Sequence, residues 1–241
     1  VNVTDRRAEL ATNLERLEER ISAACEDAGR KREEVTTIVV TKTYPADDVR
    51  LLAGLGVRHV AENRDQDAAP KAAECAELPL TWHFVGQLQT NKVRSVVGYA
   101  DMVQSVDRVK LVRALSAAAV RAGREIGCLV QVALDAESGQ SGARGGVAPD
   151  GVPAVADAVA AADGLRLDGV MTVAPLAGPY AGRQRAAFER LLEISSGLRA
   201  SHPAANMVSA GMSTDLEDAV RAGATHVRVG TAVLGVRPAL R

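Results

Sequence analysis

Eight segments rich in β-branched residues alternate with stretches of helical period from about Thr36 to the C-terminus, and this alternation leaves the chain very few architectures. The strand segments are residues 36–41, 57–61, 81–85, 101–105, 129–134, 165–172, 206–209 and 225–229. Helical period predicts helices over 46–55, 66–76, 89–97, 107–123, 152–162, 180–200 and 214–222, and an extra N-terminal helix over 4–28. No Pro-rich or charged linker and no internal repeat interrupts the series. The expected fold is therefore α/β, a single (β/α)8 TIM barrel over residues 1–241 with the extra N-terminal helix. An open doubly wound sheet would favour a glycine fingerprint after the first strand, where this chain has Thr41, Lys42, Thr43, Tyr44 and Pro45. The glycine-bearing stretch 135–150 reads as a βα loop.

Charge and composition narrow the function. Twenty-nine basic against thirty acidic side chains leave a net charge of -1, so no basic field gathers nucleic acid or membrane. Aromatics at 2% leave few platforms for stacked bases. Cys25, Cys75 and Cys128 have no paired spacing and no histidine at metal-ligand distance in sequence, which predicts reduced core residues and no metal site. With no apolar signal core and no membrane-length apolar run, the expectation is a cytoplasmic, soluble protein with a small ligand.

In such a barrel, functional groups collect at the C-terminal ends of the strands. Lys42 follows the apolar run Thr37 to Val40, which puts its amine at the rim of a dry interior, where desolvation would make it a nucleophile toward an aldehyde. In isolation a surface lysine at a strand end explains it better, and only its companions change that. The last two loops, Ser209 to Ser213 with Gly211 and Val229 to Ala232 with Gly230 and Thr231, supply amides and hydroxyls for a dianion. Ser213, Thr214, Asp215 and Glu217 also read as a helix cap. Arg228, within the last strand, calls for an ion pair or for a ring nitrogen to face. His83 as a base, Asn91 and Lys92 as anion contacts, and Asp135, Glu137 and Arg144 as substrate contacts each have an ordinary structural explanation.

At these residues the chain resembles the pyridoxal phosphate homeostasis protein family (YggS/PROSC type), whose barrel is shared with the alanine racemase N-terminal domain. The matching stretches are Val40 to Thr43, Glu62-Asn63, Trp82 to Gly86 with Leu88-Gln89 and Asn91-Lys92, Gly169 to Thr172, Ser209 to Ser213 with Asp215, and Val227 to Thr231. The resemblance implies a fold-type III barrel that holds pyridoxal 5′-phosphate (PLP) as a Schiff base on Lys42. It implies that Ser209, Gly230 and Thr231 hold the phosphate, that Arg228 faces the pyridine nitrogen and that Asn63 lies beside the ring, while Gly211 is expected at the cofactor from the loop it shares with Ser209. Ala210 and Gln140 stand where the family commonly has methionine and lysine.

Alanine racemase uses a second domain that brings a tyrosine to the face opposite its lysine, and none is expected in this chain. The family likeness therefore implies a protein that buffers, stores or delivers PLP with no established reaction; a monomer without catalytic residues is expected, with PLP-requiring apo-enzymes as recipients. Two enzymatic alternatives stand beside it. One is a weak PLP-dependent racemase or lyase using His83 or Tyr44 as acid/base, and the other a Schiff-base aldolase acting through Lys42 on a sugar phosphate.

Overall fold

The computed structural model describes residues 3–136 and 142–236. In chain order the elements are α1 (Val3–Asp27), β1 (Thr36–Val40), α2 (Ala46–Gly54), β2 (His59–Glu62), α3 (Asp65–Glu74), β3 (Thr81–Phe84), α4 (Val93–Tyr99), β4 (Met102–Val106) and α5 (Val109–Ala122). The second half continues with β5 (Ile126–Gln131), α6 (Val152–Ala160), β6 (Leu165–Met171), α7 (Gln184–Ser201), β7 (Met207–Ser209), α8 (Leu216–Ala222), β8 (His226–Val229) and the single turn α9 (Thr231–Leu234). All eight strands pair in parallel and in sequence order, and β8 pairs back onto β1 to close the barrel. The expected (β/α)8 barrel with its extra N-terminal helix is what the chain forms.

The outer strand faces and the helices build the main core. Val103, Cys128, Val130, Leu167 and Val170 pack under Leu111, Leu115, Val155, Phe188 and Leu191. Helix α1 buries Leu10, Leu17, Ile21, Ala24 and Cys25, at successive spacings of seven, four, three and one that keep them on one face, against Leu216, Val220 and Val233. Each of its larger aliphatics contributes roughly 1.5–3 kcal/mol by leaving water. Polar anchors fix its orientation: Arg6 pairs with Asp48 at 2.7 Å and Arg20 with Glu217 at 2.6 Å.

Several boundaries differ from the sequence expectation. Strand β5 begins at Ile126, three residues before the expected start. Gly127 belongs to the strand because the Arg166–Asp168 pair of β6 lies over it: a Cβ there would stand 2.4 Å from Asp168 Oδ2. Helix α7 starts at Gln184, because Tyr180 to Arg183 form a turn closed by the Arg183 amide on the Tyr180 carbonyl. Residues Thr90–Lys92 form a 3-10 turn ahead of α4. Of the cap expected from Ser213, Thr214, Asp215 and Glu217, Asp215 takes the cap position without a side-chain cap bond, and the Glu217 carboxylate is held by Arg20. The three cysteines are free and buried, as their spacing suggested. Among the described residues no helix is long and apolar enough to cross a membrane, and no cluster of ligating side chains could hold a metal ion.

Candidate functional site

A cavity of about 530 Å³ opens at the C-terminal ends of the strands, within the range of small-ligand sites. Strand parity determines its wall. Side chains alternate between lumen and helix layer, so Val40, Asn63, Val85, Gln131, Met171 and Arg228 reach it while their neighbours pack outward. Lys42, Asn63, Arg228, Gly230 and Thr231 all line this one cavity, although they come from opposite ends of the chain. The β1–β8 pairing brings them together, with Val39 opposite Val229. Larger clefts on the outer surface, such as the one of about 810 Å³ between Arg6, Tyr44 and Leu234, gather no comparable set.

Lys42 is exposed at the cavity mouth and does not have the desolvated setting expected from its apolar strand. The strand ends at Val40, and Lys42 lies in a tight turn closed by the Tyr44 amide on the Thr41 carbonyl at 3.1 Å. Thr43 in that turn has φ of 69°, a left-handed conformation that costs a β-branched residue about 1–3 kcal/mol. Beneath the turn Glu62, 1% exposed, accepts from the Thr41 hydroxyl at 2.7 Å and from Lys71 at 2.5 Å. Lys71 also donates to the Thr41 carbonyl at 2.9 Å, so a buried ion pair pins the residue before Lys42. Asn63 takes its place because Gly86 allows it: a Cβ on Gly86 would lie 2.0 Å from the Asn63 carbonyl oxygen.

Arg228 is 4% exposed and makes no ion pair among the described residues. Its guanidinium donates to Ser209 Oγ at 2.7 Å and to the Thr172 carbonyl at 2.8 Å. Burial lowers its pKa to about 10, while the charge of Asp215 opposes the shift. Ser209 and Gly211, both expected at the phosphate, are not in the cavity wall. Ser209 is fully buried beneath Arg228 in the strand layer. Gly211, at φ of +90°, lies against α8 where a Cβ would meet Ala219 at 2.5 Å. Ser213, two residues beyond Gly211, does reach the wall, as do Thr214 and Thr231, and the Gly230 and Ala232 amides donate to Ser213 Oγ at 3.3 and 3.1 Å. Ser213 belongs to the loop expected at the dianion and also to the expected cap, and its place in the cavity wall, four residues past the strand end, agrees with the first of these.

The remaining candidates separate cleanly. Arg144 lines the cavity, as do Gln87 just after β3, Met212 of the Ser209 to Ser213 loop, and Gln131, which the sequence had not singled out. His83 is 1% exposed and has both ring nitrogens engaged, by His59 and by Gln104. Tyr44 donates its hydroxyl to the Gly235 carbonyl outside the cavity. Neither is therefore placed to act as a base at this site. Asn91 and Lys92 are exposed and lie outside the cavity wall, as does Asp135. Glu137 and Gln140 lie outside the described residues. Among the described residues the wall holds one amine, two arginines, hydroxyls and amides, and no carboxylate, histidine or tyrosine. That electrostatic character suits an anionic ligand with a carbon that an amine can attack.

The chain is similar to known proteins over nearly its whole length. The family model of the alanine racemase N-terminal domain matches residues 12–238. The pyridoxal phosphate homeostasis protein of Mycobacterium tuberculosis is 41% identical, across 97% of this chain and 95% of that protein. The solved structure of PipY from Synechococcus elongatus PCC7942, with PLP bound, superposes with a TM-score of 0.79 at 32% identity, covering 94% of this chain and 100% of that one. An alanine racemase of Clostridium difficile 630 shares the fold alone, at a TM-score of 0.68 and 16% identity over 96% of this chain and 58% of that one.

Proposed function

The chain belongs to the alanine racemase N-terminal domain family, together with the pyridoxal phosphate homeostasis proteins, and from that premise we propose that it binds PLP in the C-terminal cavity and takes part in keeping the cofactor available. PLP, when bound, supplies an electrophilic aldehyde. Lys42 is the amine at the cavity mouth that would tether that aldehyde carbon. The Gly230 and Ala232 amides, which now donate to Ser213 Oγ, would turn to the phosphate as the Ser213 hydroxyl gives way and donates to it, with Thr231 at its edge. Arg228 would face the ring nitrogen, Asn63 would lie beside the ring, and Val40, Met171 and Val173 would exclude water from its faces. In this reading Ser209 and Gly211 act indirectly, Ser209 by holding Arg228 and Gly211 by letting the loop lie close on α8.

The observation that carries storage or delivery over catalysis is the composition of the wall. Racemisation needs proton exchange on both faces of the substrate, and Lys42 is the one wall side chain suited to it among the described residues. An arginine that donates to the ring nitrogen also opposes its protonation and weakens the ring as an electron sink. PLP-requiring apo-enzymes are the recipients this reading implies. Borohydride reduction of the PLP-loaded protein followed by peptide mapping should place the phosphopyridoxyl label on Lys42, and Lys42→Ala should abolish it. A label on another lysine overturns the proposal.

A further inference from the structure

The barrel lumen carries an unusual content for a core. Ser209 donates to Gln104 Oε1 at 2.6 Å, a bond that must cross the lumen because β7 and β4 are not neighbours. Gln104 Nε2 stands 2.9 Å from His83 Nδ1, and His83 Nε2 stands 3.1 Å from His59 Nδ1. Gln104 is fully buried, and Ser209 and His83 are nearly or fully so. The chain of bonds thus runs from Arg228 at the cavity to His59 at the first residue of β2, on the barrel's opposite end.

Donor chemistry fixes the direction of every bond in it. A guanidinium only donates, so Ser209 accepts from Arg228 and turns its own hydrogen toward the Gln104 oxygen. The amide nitrogen of Gln104 can then only donate to His83 Nδ1, which accepts only in a neutral ring protonated at Nε2. That Nε2 hydrogen goes to His59 Nδ1. Burial, together with the neighbouring His59, His226 and Arg228, keeps His83 neutral and lowers its pKa to about 3. Histidines 59, 83 and 226 are accordingly all kept from competing with Arg228 for positive charge.

We propose that Gln104 and His83 are positioning residues for the cofactor's ring nitrogen: through Ser209 they hold Arg228 by a one-way hydrogen-bond relay across the lumen. The relay rests on the PLP reading above and adds to it which residues set the protonation of the ring. With it intact, the guanidinium is held at two fixed acceptors, Ser209 Oγ and the Thr172 carbonyl, at the cavity wall. Broken at Gln104, Ser209 is free to rotate and Arg228 loses a fixed acceptor.

The test loads the protein with PLP labelled with 15N in the ring and reads the ring-nitrogen resonance, with borohydride mapping on the same samples. The wild type should show the unprotonated pyridine range. Gln104→Leu, close in shape but unable to make either bond, should move the resonance toward the pyridinium range and weaken PLP retention by about tenfold. Gln104→Glu at mildly acidic pH, protonated by its burial, keeps an oxygen for Ser209 and a donor for His83 and should restore the wild-type resonance. If Gln104→Leu does not fold, Ser209→Ala removes a single hydroxyl and should shift the resonance in the same direction. A wild-type resonance in Gln104→Leu or Ser209→Ala, with the label still on Lys42, overturns the relay, as does an equal shift in Gln104→Leu and Gln104→Glu. Absence of label on Lys42 in the wild type instead defeats the PLP reading itself.

Discussion

Lys71→Met isolates the buried ion pair under the Lys42 turn. In the native fold Glu62 Oε1 accepts from both Lys71 and the Thr41 hydroxyl, while Glu62 Oε2 has no partner. The side chains are 1% and 8% exposed, so water cannot replace a lost partner. Removing Lys71 leaves the carboxylate one hydrogen bond and no counter-charge, and breaking a buried pair in this way costs about 3–5 kcal/mol. At about 2–4 °C per kcal/mol for a chain of this size, the melting temperature should fall by about 10 °C. The variant Lys71→Met with Glu62→Met removes the orphaned charge together with its cause. It should regain at least ~2 kcal/mol relative to Lys71→Met, because an apolar pair of similar volume often replaces a buried ion pair at little cost. Urea unfolding of the wild type, both single variants and the double variant measures the coupling directly. A loss below ~1 kcal/mol for Lys71→Met, or a double variant no more stable than it, would refute the claim that this pair is energetically closed to solvent.

Three further outcomes follow from the structure. Gly86→Ala should cost at least ~2 kcal/mol and displace Asn63, since its Cβ would lie 2.0 Å from a backbone oxygen that cannot yield; unchanged urea unfolding would contradict this. Thr43→Gly should relieve the left-handed strain and raise stability by about 1 kcal/mol while weakening PLP retention through a looser Lys42 turn, and a calorimetric scan with a binding titration separates the two effects. His83 and His226 have pKa values lowered by burial to about 3 and about 4, so the unfolded chain binds their protons first. Their contribution is complete above pH 6.5 and is lost as pH falls toward 4, by at most ~1.4 kcal/mol per pH unit for each ring. A melting temperature flat between pH 7 and 5 would contradict that.

The sequence alone determined the barrel, because periodicity is a local property: a strand segment followed by a helical one, eight times over, admits few closed arrangements. It also placed Lys42, Asn63, Arg228, Gly230 and Thr231 at strand ends, and all five line one cavity. What it left open depends on which way a side chain points once the sheet closes. Ser209 and Ser213 are alike as residues in a glycine loop, yet the first turns under Arg228 and the second into the cavity wall. His83 and Tyr44 looked available as bases until their hydrogen-bond partners were known. The bond from Gln104 to Ser209 joins residues 105 positions apart across the lumen, and only barrel closure and register make them neighbours.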